Sequence, residues 1–194
     1  MAIQINGAIF LHIPKTGGTF VTNYFKNTGM VICELDPTHI NGKVIREIRN
    51  GTEDLIFCFV RHPLTWYRSY WQMVQNHPDT KGIWPIDPFI DQPFHSFIRQ
   101  VINENPGYLS SFFREYTDRC RAIGKQENLR NDLDQILKLM QIPYDRIFLF
   151  NRPGDNFSNS KETYSYGLAL DLMKSEKEII RRFNYNYLPE GLIT

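Results

Sequence analysis

The stretch Ile9-Phe10-Leu11-His12-Ile13-Pro14-Lys15-Thr16-Gly17-Gly18-Thr19-Phe20 constrains this chain more than any other. Ala8 to Ile13 is nearly continuous in apolar residues, the pattern of a short strand buried on both faces. Pro14 ends it, because a proline nitrogen has no hydrogen to give to a sheet ladder. A lysine, two threonines and two glycines follow, then an amphipathic run with Phe20, Val21, Tyr24 and Phe25. The order is strand, glycine turn, helix. Backbone N–H groups at such a helix start, the positive end of its dipole and a nearby ammonium make an anion site suited to phosphate or sulfate. Gly17 and Gly18 let the backbone come close to the anion, and Thr16 and Thr19 add hydroxyls. An ordinary strand-to-helix connection with Lys15 in solvent fits the same spacing. A Walker A loop fits poorly, since it needs its lysine after the glycines and a hydroxyl on magnesium. Here Lys15 precedes both glycines, and no metal ligand is specified.

Further along, Met30 to Cys33 reads as a second strand, and Asp36-Pro37-Thr38 opens a helix carrying Ile40, Val44, Ile45 and Ile48. Asp54 to Val60 is the strongest strand in the chain. Strands alternating with helices predict an α/β, three-layer fold with a central, mainly parallel sheet flanked by helices. Arg61 then falls at the carboxyl end of a central strand, where open α/β sheets bind ligands. Pro63 opens the next helix, with Leu64, Tyr67, Trp71 and Val74 as its core face and Ser69 off that stripe. Arg61 could fork onto a phosphate to which Ser69 also donates. The spacing by itself favours the plainer alternative, a surface arginine and a neutral helical serine.

From Asn76 to Pro93 the helical pattern lapses and prolines recur, marking a long irregular segment of the kind that forms lids or substrate loops. Helices resume at Phe94 and Tyr108, on either side of Pro106-Gly107. Arg121 to Gly124 reads as a weak fourth strand, Asn128 opens a helix carrying Leu133 and Leu137, and Arg146 to Phe150 reads as a fifth strand. Asn151 to Lys161 is a polar loop on the expected ligand side. Ser175-Glu176-Lys177-Glu178 has the form of a capping box.

A length of 194 residues fits a single domain spanning 1–194. The net charge of +1 gives no reason to expect a nucleic-acid partner, so any anion site is local. Cys33, Cys58 and Cys120 are odd in number and far apart in sequence, which argues against a metal cluster or a disulfide framework. Cys33 and Cys58 sit in apolar runs and read as small buried hydrophobes. No signal peptide and no membrane-spanning stretch is visible, so a cytoplasmic, reducing location is expected.

Two of these motifs stand one strand-helix-strand unit apart. His12 to Phe20 resembles the 5′-phosphosulfate loop of sulfotransferases that use 3′-phosphoadenosine 5′-phosphosulfate (PAPS). Phe59-Val60-Arg61-His62-Pro63 through Ser69-Tyr70 resembles their 3′-phosphate motif. The Gly-Gly form of the loop is most similar to the carbohydrate and heparan-sulfate-type branch and its small bacterial relatives. Ile123 to Leu129, with Asp132-Leu133, resembles a later segment of the same proteins. The likeness runs from about Ile9 to Tyr187 and is faint between Asn76 and Pro106.

The resemblance implies a P-loop NTPase-like fold with residues 76–106 as a variable acceptor-side insertion. It implies that Lys15, Thr16, Gly17, Gly18, Thr19 and Phe20 hold the 5′-phosphosulfate, mainly through backbone amides, and that Arg61 and Ser69 hold the 3′-phosphate. Ser158 and Lys161 would contact the nucleotide from the Asn151–Lys161 loop. The acceptor would be a hydroxyl, on a glycan or glycolipid, and the product adenosine 3′,5′-bisphosphate. Such transfer is an in-line displacement at sulfur, for which Lys15 would neutralise the leaving phosphate. His39 is the chosen base and Glu34 the second choice, although a solvated histidine fits His39's position too. His12 reads as structural, His62 as a neighbour of the phosphate motif, and His77 and His95 as acceptor-side residues. A P-loop kinase or NTPase, and a non-catalytic domain that binds adenine nucleotides, are the alternatives.

Overall fold

A computed structural model of the chain describes residues 2–36, 55–82, 84–154 and 160–194. The described residues of Met1–Arg61 and Phe113–Phe157 form one compact unit, and those of His62–Phe112 and Ser158–Thr194 a second.

The first unit is an α/β layer built on a five-stranded mixed sheet. Strands β1 (Ala2–Ile5), β2 (Ala8–Leu11), β3 (Val31–Asp36), β4 (Leu55–Val60) and β5 (Ala122–Lys125) lie in the order β3-β1-β2-β4-β5. Only β2–β4 and β4–β5 are parallel, while β1 runs antiparallel to both β2 and β3. The sheet is therefore half parallel rather than mainly so. The difference comes from β1, a strand that the sequence reading passes over. Asn6-Gly7 turns the chain straight back into β2, with Ile5 opposite Ala8 and Gly7 at φ 80°.

Helices α1 (Gly18–Asn27) and α5 (Leu129–Leu139) supply apolar side chains to the sheet. Phe20, Val21, Tyr24 and Phe25 of α1 join Phe10, Phe57 and Phe59 of the strands and Leu133 and Leu137 of α5 in one core cluster. Phe57 packs edge-on against both Phe25 and Phe59. Ile9, Leu11, Ile56, Cys58 and Val60, which alternate with the core phenylalanines, are buried as well. Burial of both faces is why these strands read as unbroken apolar runs.

Arg146–Asn151 is not a fifth strand but a short helix, α6. Asp145 caps it, its Oδ1 accepting from the Phe148 N–H at 2.8 Å. In a strand Ile147 and Leu149 would share a face; here Leu149 is buried and Ile147 is 76% exposed, as helical geometry requires.

The second unit contains α2 (Pro63–Asn76), α3 (Phe94–Glu104), the first half of α4 (Tyr108–Thr117), α7 (Tyr166–Ser175) and α8 (Lys177–Arg182). Trp66 and Tyr70 of α2 stack with Trp84 from the irregular segment, at ring separations of 6.0 and 4.8 Å. The expected capping box takes another form. Ser175 ends α7 and its Oγ accepts from the Gly107 N–H, while Glu176 carries no side-chain cap for α8. The fully buried Glu176 carboxylate instead accepts from the Leu109 and Ser110 N–H groups, the Ser110 hydroxyl and the Tyr67 hydroxyl. These contacts tie α2, α4 and the α7–α8 junction to one group.

Glu176→Ala leaves four buried donors without an acceptor and should cost about 3 kcal/mol or more of stability. Urea denaturation of the parent and the variant reads this directly. A change within about 0.5 kcal/mol would contradict the role assigned to the carboxylate.

Candidate functional site

The elbow after β2 is braced from inside. The Thr16 hydroxyl is buried and donates to the Ile13 carbonyl at 2.7 Å, folding residues 13–16 into a tight turn. Its proton is committed to the loop, so in this conformation Thr16 offers a ligand its backbone rather than its hydroxyl hydrogen. Lys15 and Gly17 flank it with φ of 66° and 87°. The left-handed value is routine for glycine and uncommon for lysine. Helix α1 starts at Gly18 with no side-chain cap from Gly17, so no protein hydroxyl or carboxylate from that position occupies its start. Thr19 is exposed there and Phe20 is buried.

The two glycines are required for different reasons. Gly17 supplies the left-handed turn, and a Cβ on it would also come within 2.9 Å of Leu129. At Gly18 a Cβ would lie 1.9 Å from Cδ2 of His12, a spacing no side chain tolerates. His12, which stacks on Phe10 at 6.2 Å, thus occupies the space that the missing side chain leaves.

Charge is concentrated on the same elbow. A guanidinium nitrogen of Arg61, Nη1, donates to the Lys15 carbonyl at 3.1 Å. Burial, and then the neighbouring Arg61 charge, push the Lys15 ammonium down to about 8. Two more cations lie against the first turn of α1. Arg130 and Arg152 lie over the Phe20 ring at 5.2 and 5.1 Å, and Arg152 Nη1 donates to the Phe20 carbonyl at 3.3 Å. Arg130 in turn donates to the carbonyls of Phe150 and Arg152. The chemistry of this donor set fits a multiply charged anion: ammonium, guanidinium and an uncapped helix start.

Lys15, Thr16, Gly17, Gly18, Thr19, Phe20 and Arg61 are thus brought together. Ser69 lies in the other unit, buried on α2. Lys161 also belongs to that unit and is exposed. His39 and Ser158 lie outside the described residues. Glu34 is engaged by Lys26 in an ion pair at 2.5 Å, each side chain 43% exposed. His62 is fully buried and structural: Nδ1 accepts from the Leu64 N–H, capping α2, and Nε2 donates to the Tyr187 carbonyl. His95 Nε2 donates to the Thr163 carbonyl, and His77 is exposed at the end of α2. Cys33 is exposed on β3 rather than buried.

Arg130 and Arg152 escape the sequence reading. Arg130 looks like any polar residue on an amphipathic helix, and Arg152 like one more residue of a polar loop. No shared sequence signal singles them out: Arg130 lies in the first turn of α5 and Arg152 just after α6. The chain matches no protein-family model, and no curated protein matches it. Among the described residues no helix is long and apolar enough to cross a membrane.

If His12 sets the requirement for glycine, Gly18→Ala should destabilise the protein by about 2 kcal/mol or more, and His12→Ala should restore part of that loss. A double-mutant cycle by chemical denaturation measures the coupling. Strict additivity would show that the two positions do not meet.

Proposed function

We propose that this chain is a sulfotransferase of P-loop-like fold that takes a sulfuryl group from PAPS to a hydroxyl acceptor on a glycan or glycolipid. The observation that carries the reading is the Lys15–Arg61 pair at a glycine elbow. Two like charges brought together and partly desolvated cost free energy, which a multiply charged anion offsets. A nucleotide bearing phosphate groups on both its 3′ and 5′ positions has the charge to do so.

Lys15, the backbone amides of Thr16 to Phe20 and Arg61 are the groups that would hold the anion. PAPS, when bound, supplies an activated sulfuryl group whose departure leaves a phosphate of higher negative charge. Lys15 stabilises that growing charge, and its lowered proton affinity matters here. The ammonium is poised near neutrality, so an arriving anion restores its full protonation. The uncapped start of α1 adds preorganised N–H donors, which need no rearrangement as charge develops. His39 is the proposed base for the acceptor hydroxyl, with Glu34 the weaker candidate because Lys26 already occupies its carboxylate.

Titration calorimetry with adenosine 3′,5′-bisphosphate and with ATP, each with and without magnesium, tests the reading. Tight, magnesium-independent binding of the bisphosphate is expected. Arg61→Ala should weaken it by roughly 10- to 100-fold. Lys15→Ala should abolish transfer. Preference for ATP with magnesium would favour a kinase or NTPase, and parental affinity in both variants would dismiss the site.

Proton linkage gives a second check. An anion favours the charged form of Lys15, so binding near pH 8 should take up protons, seen as a heat that varies with buffer ionisation enthalpy. As pH rises above about 8 the free protein loses the ammonium, and affinity should fall by up to about tenfold per unit. A flat pH profile between 7 and about 9.5 would remove Lys15 from the site.

A further inference from the structure

Four observations single out Cys58 and Cys120. Their Sγ atoms are 3.3 Å apart across 62 positions of sequence, closer than two thiols need be for packing alone. Neither is joined in a disulfide. Their accessibility differs: Cys58 is fully buried on β4, whereas Cys120, in the turn entering β5, is half-buried. Cys120 is also held in place, its Sγ lying 3.4 Å from the Tyr116 carbonyl, and the next residue, Arg121, donates its N–H to Ile56 at 2.7 Å. Closing this pair to the S–S bond length of about 2.05 Å brings the two sulfurs together by little more than about 1 Å.

We propose that Cys58 and Cys120 are a modification site at which a small-molecule disulfide oxidises the protein to an intramolecular disulfide. Cys120, the accessible thiol, loses its proton and attacks one sulfur of the reagent. One reagent thiolate leaves and takes up that proton. The buried Cys58 then loses its proton and attacks Cys120 Sγ, expelling the second reagent thiolate, which is protonated in turn. Two protein thiols are oxidised by two electrons, and one disulfide reagent is reduced to two thiols. The bond falls at an informative place in the chain. The polypeptide leaves the first unit after Arg61 and returns to it at Phe113, so the bond joins β4 to the turn that enters β5 within that unit. Closing a loop of this length raises stability chiefly by restricting the unfolded chain.

The experiment uses the full chain carrying Cys33→Ser, since Cys33 is an exposed third thiol. Protein is incubated with oxidised glutathione, quenched with an alkylating agent, digested and mapped by mass spectrometry, with thermal unfolding run in parallel. The expected result is a Cys58–Cys120 linked peptide and no retained glutathione. The melting temperature should rise by roughly 5–10 °C and return on addition of dithiothreitol. In Cys58→Ser glutathione should stay bound to Cys120, because nothing displaces it, and the melting shift should vanish. A stable glutathione adduct on Cys120 in the presence of Cys58 overturns the proposal. So does a Cys58 that alkylates fully on unfolding after oxidation, or a linked peptide that forms only in urea. None of these readouts depends on sulfuryl transfer.

Discussion

The approach of His12 to Gly18 governs the first unit of this protein. The imidazole sits where any side chain at residue 18 would have to be, and that allows α1 to start hard against the end of β2. Everything on the elbow follows. The chain has too little room for a gradual turn, so Lys15 and Gly17 take left-handed conformations and Thr16 is pulled inward onto the Ile13 carbonyl. The backbone of the turn is then presented outward, with the Lys15 carbonyl available to Arg61. Strain in the backbone and crowding of charge arise at the same few residues. An ordinary strand-to-helix connection requires neither.

The electrostatics sharpen the contrast. Exposed lysines and arginines elsewhere on this chain sit in water, where a neighbouring cation matters little. At the elbow, Lys15 is partly buried and faces Arg61 through a short stretch of protein, so its ammonium is held well below its ordinary proton affinity. The cost is borne by the folded state and relieved by negative charge or by loss of the Lys15 proton. Arg130 and Arg152 surround Phe20 nearby, and their anchoring to backbone carbonyls keeps them in position without requiring a carboxylate at those contacts.

The parts legible in the sequence were those governed by local rules. The Ala8–Ile13 run, the Pro14 stop and the two glycines announce strand, elbow and helix, and the structure has them within a residue or two. Pro63 after His62 marks the start of α2, and the aliphatic spacing from Leu129 marks α5. What failed depended on distant partners or on a competing local signal. Arg146 to Phe150 is too short for periodicity to separate strand from helix, and the deciding residue was the capping Asp145. Ser175 and Glu178 have the spacing of a capping box, yet Glu176 between them was drawn into the interior by donors from Leu109 and Ser110. At the other end of the chain Asn6-Gly7 is a strong turn signal, but β1 beside it is so short that its pairing is evident only once β2 and β3 are seen. The meeting of Cys58 with Cys120 has no sequence signal at all, since it depends on β4 and β5 lying side by side.

That last pairing carries a consequence for how the chain comes off the ribosome. Strands β1 and β2 can join as a hairpin almost at once, because their residues are neighbours. Strand β5 cannot reach β4 until all of His62–Phe112 has been made, and parallel pairings across such a span are slow to form. Through that interval the β4 margin, with Phe57 and Phe59, waits without its neighbour. A nascent chain of this design is most exposed to self-association while its centre is being synthesised, and a holding chaperone would act then.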